Sequence, residues 1–427
     1  MRSTITRVAA ATAAAGLALA MAACSSNAAS GGGGGSGNAT TLTLAATTNE
    51  QPAMDAAIAE FKKANPGVDV KATYSALDQY QTTTRTQLSS GTAPDVVFVW
   101  PGDGNPMAMK TVAGAGYLQD LSDQAFAKNL PEAVQKVATI DGKTYIAPVT
   151  FSGIGAVYNQ DALKEVGLTP PTTWTELLQF CADAKSNGKV AFALGGATPW
   201  NTQLINYALT PTLVYGPNPD FPQQMTDGKA TFADSEWKTS FEKYKEMLDK
   251  GCFQDSPLGT NYDTTLQMVG KGDALGVVQV NSAVPGIKKT SPQANLTLLP
   301  LPATDDASAT RMAGATGSSY GINAKTSNKD LALKFINFLE TQDATNTYAE
   351  TNGALPATPN DAFTVDPALE SLAQYQKENK TDPFMDQFWP NARVQQTHFD
   401  VVQAVLGGNM TIDEALQKMD AAYQQGA

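Results

Sequence analysis

Apolar residues in the first part of the chain alternate between the spacing of strands and the spacing of helices. Residues 41–45 alternate as in a strand, and the apolar residues of 54–61 recur as on one face of a helix. A second alternating segment, 68–74, precedes a second helical segment, 80–88. Residues 95–100 are apolar after the first position, as is typical of a parallel strand buried on both faces. This order predicts βαβ units and an open α/β sheet.

Residues 141–167 interrupt this order and join two predicted lobes. The Asp-Gly pair that begins the segment is a hairpin turn signal, and Pro148 closes the short strand after it. A run of small and branched residues, 153–157, leads into a helix that Gly167 is suited to cap. We expect the chain to leave one lobe here and to enter a second, with residues 148–152 on the floor of the cleft between them.

The later part of the chain predicts a second sheet. Residues 173–176 form a capping box at the start of a helix, and 190–194 and 273–281 have the pattern of buried strands. Residues 297–302 are expected to return as a strand toward the first lobe. The Pro/Gly-rich segment 351–360 is expected to cross between the lobes again.

The predicted fold class is therefore α/β, with two lobes that are each an open sheet flanked by helices, and a ligand cleft between them. The first lobe is predicted to comprise residues 41–148 and 302–356. The second is predicted to comprise residues 149–301 and 357–427. A chain of 427 residues is long enough to form two such cores.

Charge and composition argue against several partners. The chain has 29 Lys and Arg against 41 Asp and Glu, a net charge of −12 without a long basic run, which argues against nucleic acid. Its single histidine and three cysteines form no cluster with metal-ligand spacing. Neither a metal nor a cofactor is expected.

The first residues have the features of an export signal. Two arginines precede the apolar stretch 8–21, which is too short to span a membrane comfortably. The sequence around Cys24 resembles a bacterial lipobox, which implies removal of residues 1–23 and lipidation of Cys24. The Gly/Ser-rich remainder of 24–40 would then be a flexible leash. An ordinary secretory signal with an A-x-A-like cleavage site is the alternative.

Two further cysteines, Cys181 and Cys252, lie on predicted helices or helix ends of the same lobe. In an oxidising compartment they would pair as a disulfide. Two buried free thiols are the alternative.

Short motifs in a fixed order resemble the extracellular solute-binding proteins of ABC importers, in the group similar to maltose-binding protein. The motifs are FKKANPGVDV at 61–70, SGTAPDVVFVW at 90–100, GYLQDL at 116–121, APV-x6-AVYN at 147–159, PPTTWTEL at 170–177, GVVQVN at 276–281, YGINAKTSNKD at 320–330, ALPA at 354–357 and TIDEAL at 411–416. The resemblance covers nearly all of the chain after the leash. It implies a periplasmic-binding-protein-like fold whose two lobes enclose a ligand when they close.

Polar and aromatic residues that follow the predicted strands are the candidate ligand contacts, because ligands of open α/β sheets gather beyond the carboxyl ends of strands. These residues are Asn49, Glu50, Trp100, Asp103, Gln279 and Asn281. With the resemblance, the further candidates are Phe151, Ser152, Trp200, Ser318, Tyr320 and Trp389.

These residue types suit a sugar, because aromatic rings pack on its weakly apolar faces while amides and carboxylates bond its hydroxyls. The alternative for each tryptophan is a packing role, and for each loop carboxylate simple solvation. Sugar-binding members often have a tryptophan after the strand that ends here at Asn281. This chain has Ser282-Ala283-Val284 in its place.

The resemblance implies the substrate-binding subunit of an ABC importer, which captures a carbohydrate or oligosaccharide by hinge closure and has no catalytic residues. The implied partners are that ligand, a membrane permease and the bacterial cell membrane, reached through the lipid anchor. The chain is expected to be a monomer outside the cytoplasm. A non-sugar solute, such as a polyamine or an amino-acid derivative, is the alternative ligand.

An anchored esterase or glycosidase is the alternative class of function. Residues 317–321, GSSYG, fit the G-x-S-x-G of a nucleophile elbow but lack the buried strand before it and the helix directly after it. The single histidine, His398, lies inside a predicted helix. No pair of carboxylates stands out as the acid and base of a glycosidase.

Overall fold

The structure, a computed structural model, describes residues 40–425. The predicted signal peptide, Cys24 and nearly all of the predicted leash lie outside the described residues. Within 40–425, no helix is long and apolar enough to cross a membrane.

Strands from distant parts of the chain build the two sheets. They are β1 (Thr41–Thr47), β2 (Asp69–Ser75), β3 (Val96–Phe98), β4 (Thr139–Ile140), β5 (Lys143–Thr144), β6 (Ala147–Pro148), β7 (Thr150–Asn159), β8 (Val190–Ala193), β9 (Ala274–Val280), β10 (Leu296–Leu299), β11 (Met312–Thr316), β12 (Ser319–Ile322), β13 (Leu355–Pro356) and β14 (Thr381–Asp382). The hairpin of β4 and β5 has the predicted Asp-Gly turn, in which Asp141 and Gly142 both have positive φ.

Helices cover both sheets. They are α1 (Gln51–Ala64), α2 (Leu77–Ser90), α3 (Met109–Gly114), α4 (Glu132–Ala138), α5 (Gln160–Val166), α6 (Trp174–Ser186), α7 (Leu204–Thr210), α8 (Phe221–Thr226), α9 (Trp237–Asp249), α10 (Tyr262–Lys271), α11 (Ala283–Thr290), α12 (Lys329–Leu339), α13 (Gln342–Asn352), α14 (Glu370–Lys377), α15 (Ala392–Leu406) and α16 (Ile412–Gln424). Short 3-10 turns are Thr48–Glu50, Phe126–Lys128, Pro199–Gln203, Pro257–Gly259, Ala307–Ala309, Pro367–Leu369 and Met385–Phe388, and Pro211–Tyr215 is π-helical.

The first sheet has the strand order β2-β1-β3-β12-β6. Its β1 is parallel to β2 and β3, as the βαβ pattern predicts, and β12 pairs antiparallel with β3 and β6. Helices α1 and α12 pack together beside it, where the Phe61 and Phe335 rings meet edge to face with centroids 5.0 Å apart. This sheet and its helices form the first lobe.

The second sheet has the order β14-β11-β7-β9-β8, with β10 and β13 also paired to β7. The central β7 is ten residues long and buried throughout, which explains its continuous run of small and apolar residues. On its α6 side, Tyr158 of β7 packs edge to face on Phe180, which in turn contacts Phe192 of β8. This sheet and its helices form the second lobe, so the predicted fold class is confirmed.

The chain crosses between the sheets three times. The first crossing is at Val149, between β6 and β7, and the second runs through Gly317 and Ser318, between β11 and β12. The third follows α13, after which β13 pairs with the start of β7. Residues 148–152 therefore do lie where the chain passes from one sheet to the other.

The sequence predicts that the chain returns to the first lobe at residue 302. In the structure it does not. β10 pairs antiparallel with β7, and β11 after it also pairs with β7, so the chain stays in the second lobe as far as Thr316. Leu301 and Ala303 accordingly lie in the core of that lobe. Periodicity identifies a buried strand but not the sheet that it joins, so the sequence alone misplaces this boundary.

The helix-capping predictions are confirmed. At the start of α6, Thr173 and Glu176 form a reciprocal capping box, and Thr411 and Glu414 form another at α16. Gly167 ends α5 in the left-handed conformation, with φ of 69°.

The structure bonds Cys181 of α6 to Cys252, which lies just beyond α9. Both side chains are fully buried, and the sequence separation is 71 residues. In the chain-entropy account, closing a loop of this length stabilises the fold by about 4 kcal/mol. The disulfide therefore ties two helical segments of the second lobe that the sheet does not join.

Trp389 lies in an aromatic core of the second lobe. It is 2% exposed, and its ring meets those of Tyr207, Phe232, Trp237 and His398. This position is that of a packing residue, the alternative considered for it above. Trp200, in contrast, is only partly buried.

His398 is fully buried in the same aromatic core. Its Nε2 lies 3.4 Å from Asn206 Oδ1, while Nδ1 has no hydrogen-bond partner among the described residues. Burial lowers the pKa of His398 to about 3 because nothing nearby compensates a positive charge. The ring is therefore neutral and structural.

We expect Trp389→Ala to lower the free energy of unfolding by about 3–5 kcal/mol, because it leaves a cavity among aromatic rings. Trp200→Ala, matched in size but partly exposed, should cost about 1 kcal/mol or less. Urea denaturation followed by circular dichroism measures both. Equal losses for the two substitutions would contradict the packing role of Trp389.

His398 is the one histidine of the chain, so its proton resonances need no assignment. In the folded protein they should not titrate between about pH 8 and 5, whereas in urea they should titrate near pH 6.5. Because the folded pKa is the lower one, the stability from this group is present above about pH 6.5 and is lost as the pH falls toward 3. A titration of the folded protein near pH 6.5 would contradict the assignment of His398 as a buried, neutral residue.

Candidate functional site

A cavity of about 570 Å³ lies between the two lobes. The first lobe contributes residues just after β1 and at the end of α13, and the second contributes the faces of α10 and α11. The lining residues include Asn49, Asn352, Tyr262, Asp263, Ser282 and Lys289. Of the predicted ligand contacts, Asn49 is the one that lines this cavity, and its side chain is exposed.

One aromatic residue, Tyr262, lines the second-lobe wall, and Trp200 packs against it without lining the cavity. Tyr262, the first residue of α10, packs on Trp200 with ring centroids 5.0 Å apart, and both rings are partly exposed. The start of α10 is fixed by Asn261, whose side chain accepts from Thr264 N–H. Burial raises the pKa of Tyr262 to about 12, so its hydroxyl stays neutral and can donate a hydrogen bond. Tyr262 thus offers the cavity an aromatic ring with a polar hydroxyl at its edge.

Charged and amide groups surround this wall. Lys289 of α11 and Asp263 of α10 line the cavity and are both exposed. Asn352 and Asn49 approach from the first lobe. A polar ligand with an apolar face thus finds donors and acceptors on both lobes.

Glu50 is held beneath the cavity by donors from other segments of the chain. Its Oε2 accepts hydrogen bonds from Tyr348 Oη at 2.6 Å, Ser318 Oγ at 2.8 Å and Asn352 Nδ2 at 2.9 Å. Burial raises the pKa of Glu50, and the three donors oppose that rise. Tyr320 joins the cluster through a 2.7 Å hydrogen bond to the Tyr348 hydroxyl. Glu50, Ser318 and Tyr320 are therefore brought together, beside the second crossing.

Hydrogen bonds join the crossing segments to one another. Val149 N–H donates to the Ser318 carbonyl at 2.9 Å, and Gly317 N–H donates to the Thr150 carbonyl at 2.8 Å. The Thr150 hydroxyl accepts from Ser318 N–H, and Ala357 N–H donates to the Val149 carbonyl. We call this set, Val149, Thr150, Gly317, Ser318 and Ala357, the crossing junction.

Asn281 clamps the second lobe to the third crossing. Its Oδ1 accepts from Gly153 N–H at 2.7 Å, and its Nδ2 donates to the Gly353 carbonyl at 2.5 Å. Asn281 is fully buried, and Gln279, two residues earlier in β9, is also buried and donates to the Asn201 side chain. Both predicted contacts are thus engaged within the protein.

Phe151 and Ser152, the predicted hinge contacts, are buried in β7. Phe151 pairs with Thr316 of β11 and Leu355 of β13, so it packs at the base of the crossing junction. A Cβ on Gly317 would overlap Ser152 Oγ, which shows how closely the second crossing approaches this strand.

Trp100 and Asp103 follow β3. Trp100 is partly buried and packs edge to face on Phe98, with ring centroids 4.5 Å apart. Asp103 Oδ1 accepts from Gly104 N–H at 3.0 Å and from Thr111 Oγ1 at 3.3 Å, and burial raises its pKa. The loop that carries them is ordered by its own hydrogen bonds.

The same loop touches the second lobe directly. Asp103 N–H donates to the Gln387 carbonyl at 2.9 Å. Gly102 and Gly104 have φ of 69° and 76°, and a Cβ on either would come well inside 3.0 Å of the Gln387 or Asp386 carbonyl oxygen. We call Gly102–Gly104 with Asp386–Gln387 the inter-lobe latch. It exists only because these positions lack side chains.

Asp386 supports the latch from within the second lobe. It is buried, accepts a 3.0 Å hydrogen bond from Gln395 Nε2, and has a pKa raised to about 6 by burial. Gln387 also donates from Nε2 to the Thr316 carbonyl at 3.1 Å, close to the second crossing.

A buried strand, β11, does precede residues 317–321, contrary to the sequence expectation. The structure nevertheless does not build a nucleophile elbow there. Ser319 begins β12 in the interior of the first sheet and donates from Oγ to the Val99 carbonyl. Its hydroxyl is fully buried, and the strand is not followed directly by a helix. His398 lies in the core of the other lobe. Among residues 40–425, no group of three or more His, Cys, Asp or Glu side chains could hold a metal ion.

Sequence reasoning missed Tyr262, Asp263, Lys289 and Asn352. They lie on helices rather than after a strand, so the search along strand ends passed over them. The Asn261 cap marks the start of a helix in the sequence. The sequence around Asn261 does not indicate that this end of the helix faces the other lobe.

Comparisons with known proteins agree with this architecture. The family model described as bacterial extracellular solute-binding protein matches residues 56–377. The multiple sugar-binding protein of Streptococcus mutans is 24% identical over 347 residues, which are 80% of this chain and 81% of that protein.

Solved structures of binding proteins share the fold. A chitin oligosaccharide binding protein superposes with a TM-score of 0.78 at 22% identity, covering 90% of this chain and 98% of the other. The binding protein RafE in complex with raffinose gives 0.77 at 20% identity, covering 91% and 99%. The family model spans most of the chain, and the predicted resemblance is confirmed: the chain belongs to the bacterial extracellular solute-binding proteins.

Proposed function

We propose that this chain is the extracytoplasmic substrate-binding subunit of an ABC importer and that its ligand is an oligosaccharide. The observation that carries the proposal is the inter-lobe cavity, in which Tyr262 lines the second-lobe wall, supported by its ring contact with Trp200, and Asn49 and Asn352 line the first-lobe wall. An aromatic face opposite Asn49 and Asn352 matches the apolar face and polar rim of a pyranose ring. The relatives named for multiple sugars, raffinose and chitin oligosaccharides support this ligand class.

The proposed mechanism is closure about the crossing junction. A ligand held by both lobes stabilises the closed state in proportion to its differential affinity for that state. Three segments cross, so the lobes can rotate about a short line of backbone while each sheet stays intact. The inter-lobe latch adds a direct contact between the lobes, and we propose that it forms part of the closed arrangement.

The closed protein is proposed to deliver its ligand to membrane permease subunits. A lipid on Cys24 with the leash of residues 24–40 would keep it, as a monomer, near the outer face of a bacterial cell membrane. This role requires no partner protein at the inter-lobe cavity.

Binding without catalysis is the proposed chemistry. In the GSSYG segment, the Ser319 hydroxyl donates a hydrogen bond to the Val99 carbonyl inside the first sheet. The family and its structural neighbours are binding proteins. A non-sugar solute is the second candidate, and it is favoured by the exposed Asp263 that lines the cavity.

We expect Tyr262→Ala to weaken oligosaccharide binding at least tenfold, about 1.4 kcal/mol, because it removes a stacking face. Raffinose, stachyose and chitin oligosaccharides, with a polyamine and amino acids as comparison solutes, are titrated by calorimetry. Tyr375→Ala, a partly buried tyrosine outside the cavity, is the matched control and should bind as the native chain does.

Chromatography of the calorimeter contents tests for products. Intact sugar after tight binding supports the proposal, whereas hydrolysed sugar would establish an enzyme. Binding of the polyamine alone, or an unchanged sugar affinity in Tyr262→Ala, would refute the oligosaccharide assignment.

Gly102→Ala should prevent full closure, because its Cβ would overlap the Gln387 carbonyl oxygen. We expect a tenfold or greater loss of affinity and, in small-angle X-ray scattering, a smaller decrease of the radius of gyration on ligand addition. Gly116→Ala is the matched control. Gly116 has φ of 75° in the same lobe, but a Cβ there has nothing within 4 Å.

The control carries the same left-handed backbone strain, about 1 kcal/mol, without the contact between lobes. Equal behaviour of the two variants would mean that the latch has no part in closure.

A further inference from the structure

A second cavity, of about 630 Å³, lies on the first lobe beside the crossing junction. It shares no lining residue with the inter-lobe cavity. The end of α12, the start of α13 and the loop before the 3-10 turn Phe126–Lys128 form its walls, and Pro148 and Thr358 close it on the crossing side.

Glu340, at the end of α12, is the unusual group in this cavity. Its Oε1 is shielded from solvent and has no hydrogen-bond partner among the described residues. Burial alone raises the pKa of Glu340 well above its usual range, since no cation or donor opposes it. Glu340 as a whole is only partly buried and lines the cavity. A shielded carboxyl oxygen without a partner is costly to a fold, which makes this carboxyl group a candidate for pairing with a ligand.

The amides around Glu340 are arranged in pairs. Asn337 Nδ2 donates to Gln124 Oε1 at 2.8 Å, and Gln342 Nε2 donates to Asn360 Oδ1 at 2.9 Å. Asn337 and Gln342 are exposed, and their side-chain oxygens accept no hydrogen bond from the described residues, so they remain available as acceptors. The described residues that line the cavity include two carboxyl groups, those of Glu340 and the exposed Asp123, and neither lysine nor arginine.

This arrangement is rich in acceptors and carries only negative charge. A sugar hydroxyl would satisfy acceptors but leave a carboxylate unpaired, whereas an ammonium group supplies three donors and a positive charge. A divalent metal would need several more oxygen ligands at short range, and the described residues offer no metal-holding cluster there.

We propose that this cavity is a binding site for a small aliphatic ammonium ion, held by the Glu340 carboxylate and by the amide oxygens of Asn337 and Gln342. The site is independent of the ligand in the inter-lobe cavity. The bound cation would lie against a cavity wall that includes Pro148, just before the first crossing, and Thr358, just after the third.

The test uses 1,4-diaminobutane and n-butylamine as probes, with 1,4-butanediol as the neutral analogue of the same length. Calorimetry is run on the mature chain at physiological salt, because the acidic chain attracts cations without specificity at low salt. We expect saturable binding of both amines and none of the diol. Glu340→Gln should weaken amine binding at least tenfold.

Glu350→Gln is the matched control, since Glu350 is an exposed glutamate of the neighbouring α13 that lies outside the cavity. It should bind amines as the native chain does. Tyr262→Ala should also retain amine binding, which separates this site from an amine ligand of the inter-lobe cavity. Circular dichroism verifies that Glu340→Gln is folded, and its melting temperature should not fall, because the carboxyl oxygen that is shielded has no partner to lose.

The pH dependence gives a second readout. Ammonium binding requires the ionised Glu340, whose pKa burial raises, so affinity should rise as the pH increases through that raised pKa, with a proton released on binding at lower pH. Asp123 is the other titratable group that lines the cavity; it is exposed. The pH dependence should vanish in Glu340→Gln. Equal binding of amine and diol, preferential binding of Mg²⁺ or Ca²⁺, or unchanged amine binding in Glu340→Gln would each overturn the proposal.

Discussion

The structure depends on the crossing junction, where three separate segments of the chain satisfy one another's backbone groups. Val149 and Thr150 bond to Gly317 and Ser318, and Ala357 bonds to Val149 from the third segment. Buried backbone donors and acceptors are costly when they are left unpaired. Any rotation between lobes must therefore keep these bonds and change only the few dihedral angles next to them, so the junction defines the axis while each sheet moves as a unit.

A network of polar groups lies beside this axis, in addition to the apolar packing of Phe151 and Leu355. Glu50 accepts from three donors, two on α13 and one in the second crossing, and Asn281 bridges β7 to the third crossing. A satisfied polar network fixes one arrangement, because a shifted partner leaves a buried charge or amide unpaired. An apolar hinge of the same size would tolerate many arrangements. The network thus explains how a crossing made of few residues can hold two large lobes in register.

Much of the fold follows from local sequence, and the exceptions concern choices made at long range. Caps such as Thr173 with Glu176, and turns such as Asp141-Gly142, are fixed by neighbouring residues and were predictable. The pairing of β11 with β7 was not, since an apolar strand suits either sheet. Of the candidate site, Asn49 was found because it follows a strand. Tyr262 was not, because its role depends on which lobe face α10 presents.

Neither lobe is a continuous piece of chain, which has a consequence for how the protein is made. In the first sheet, β12 lies between β3 and β6, although well over a hundred residues of the second lobe separate it from either strand in sequence. The sheet therefore cannot close until the chain has been synthesised beyond Ile322, and β14 and α16 complete the second lobe later still. Such non-local pairing raises contact order and slows folding. A chain that stays unfolded until it is nearly complete is well suited to being threaded across a membrane before it folds.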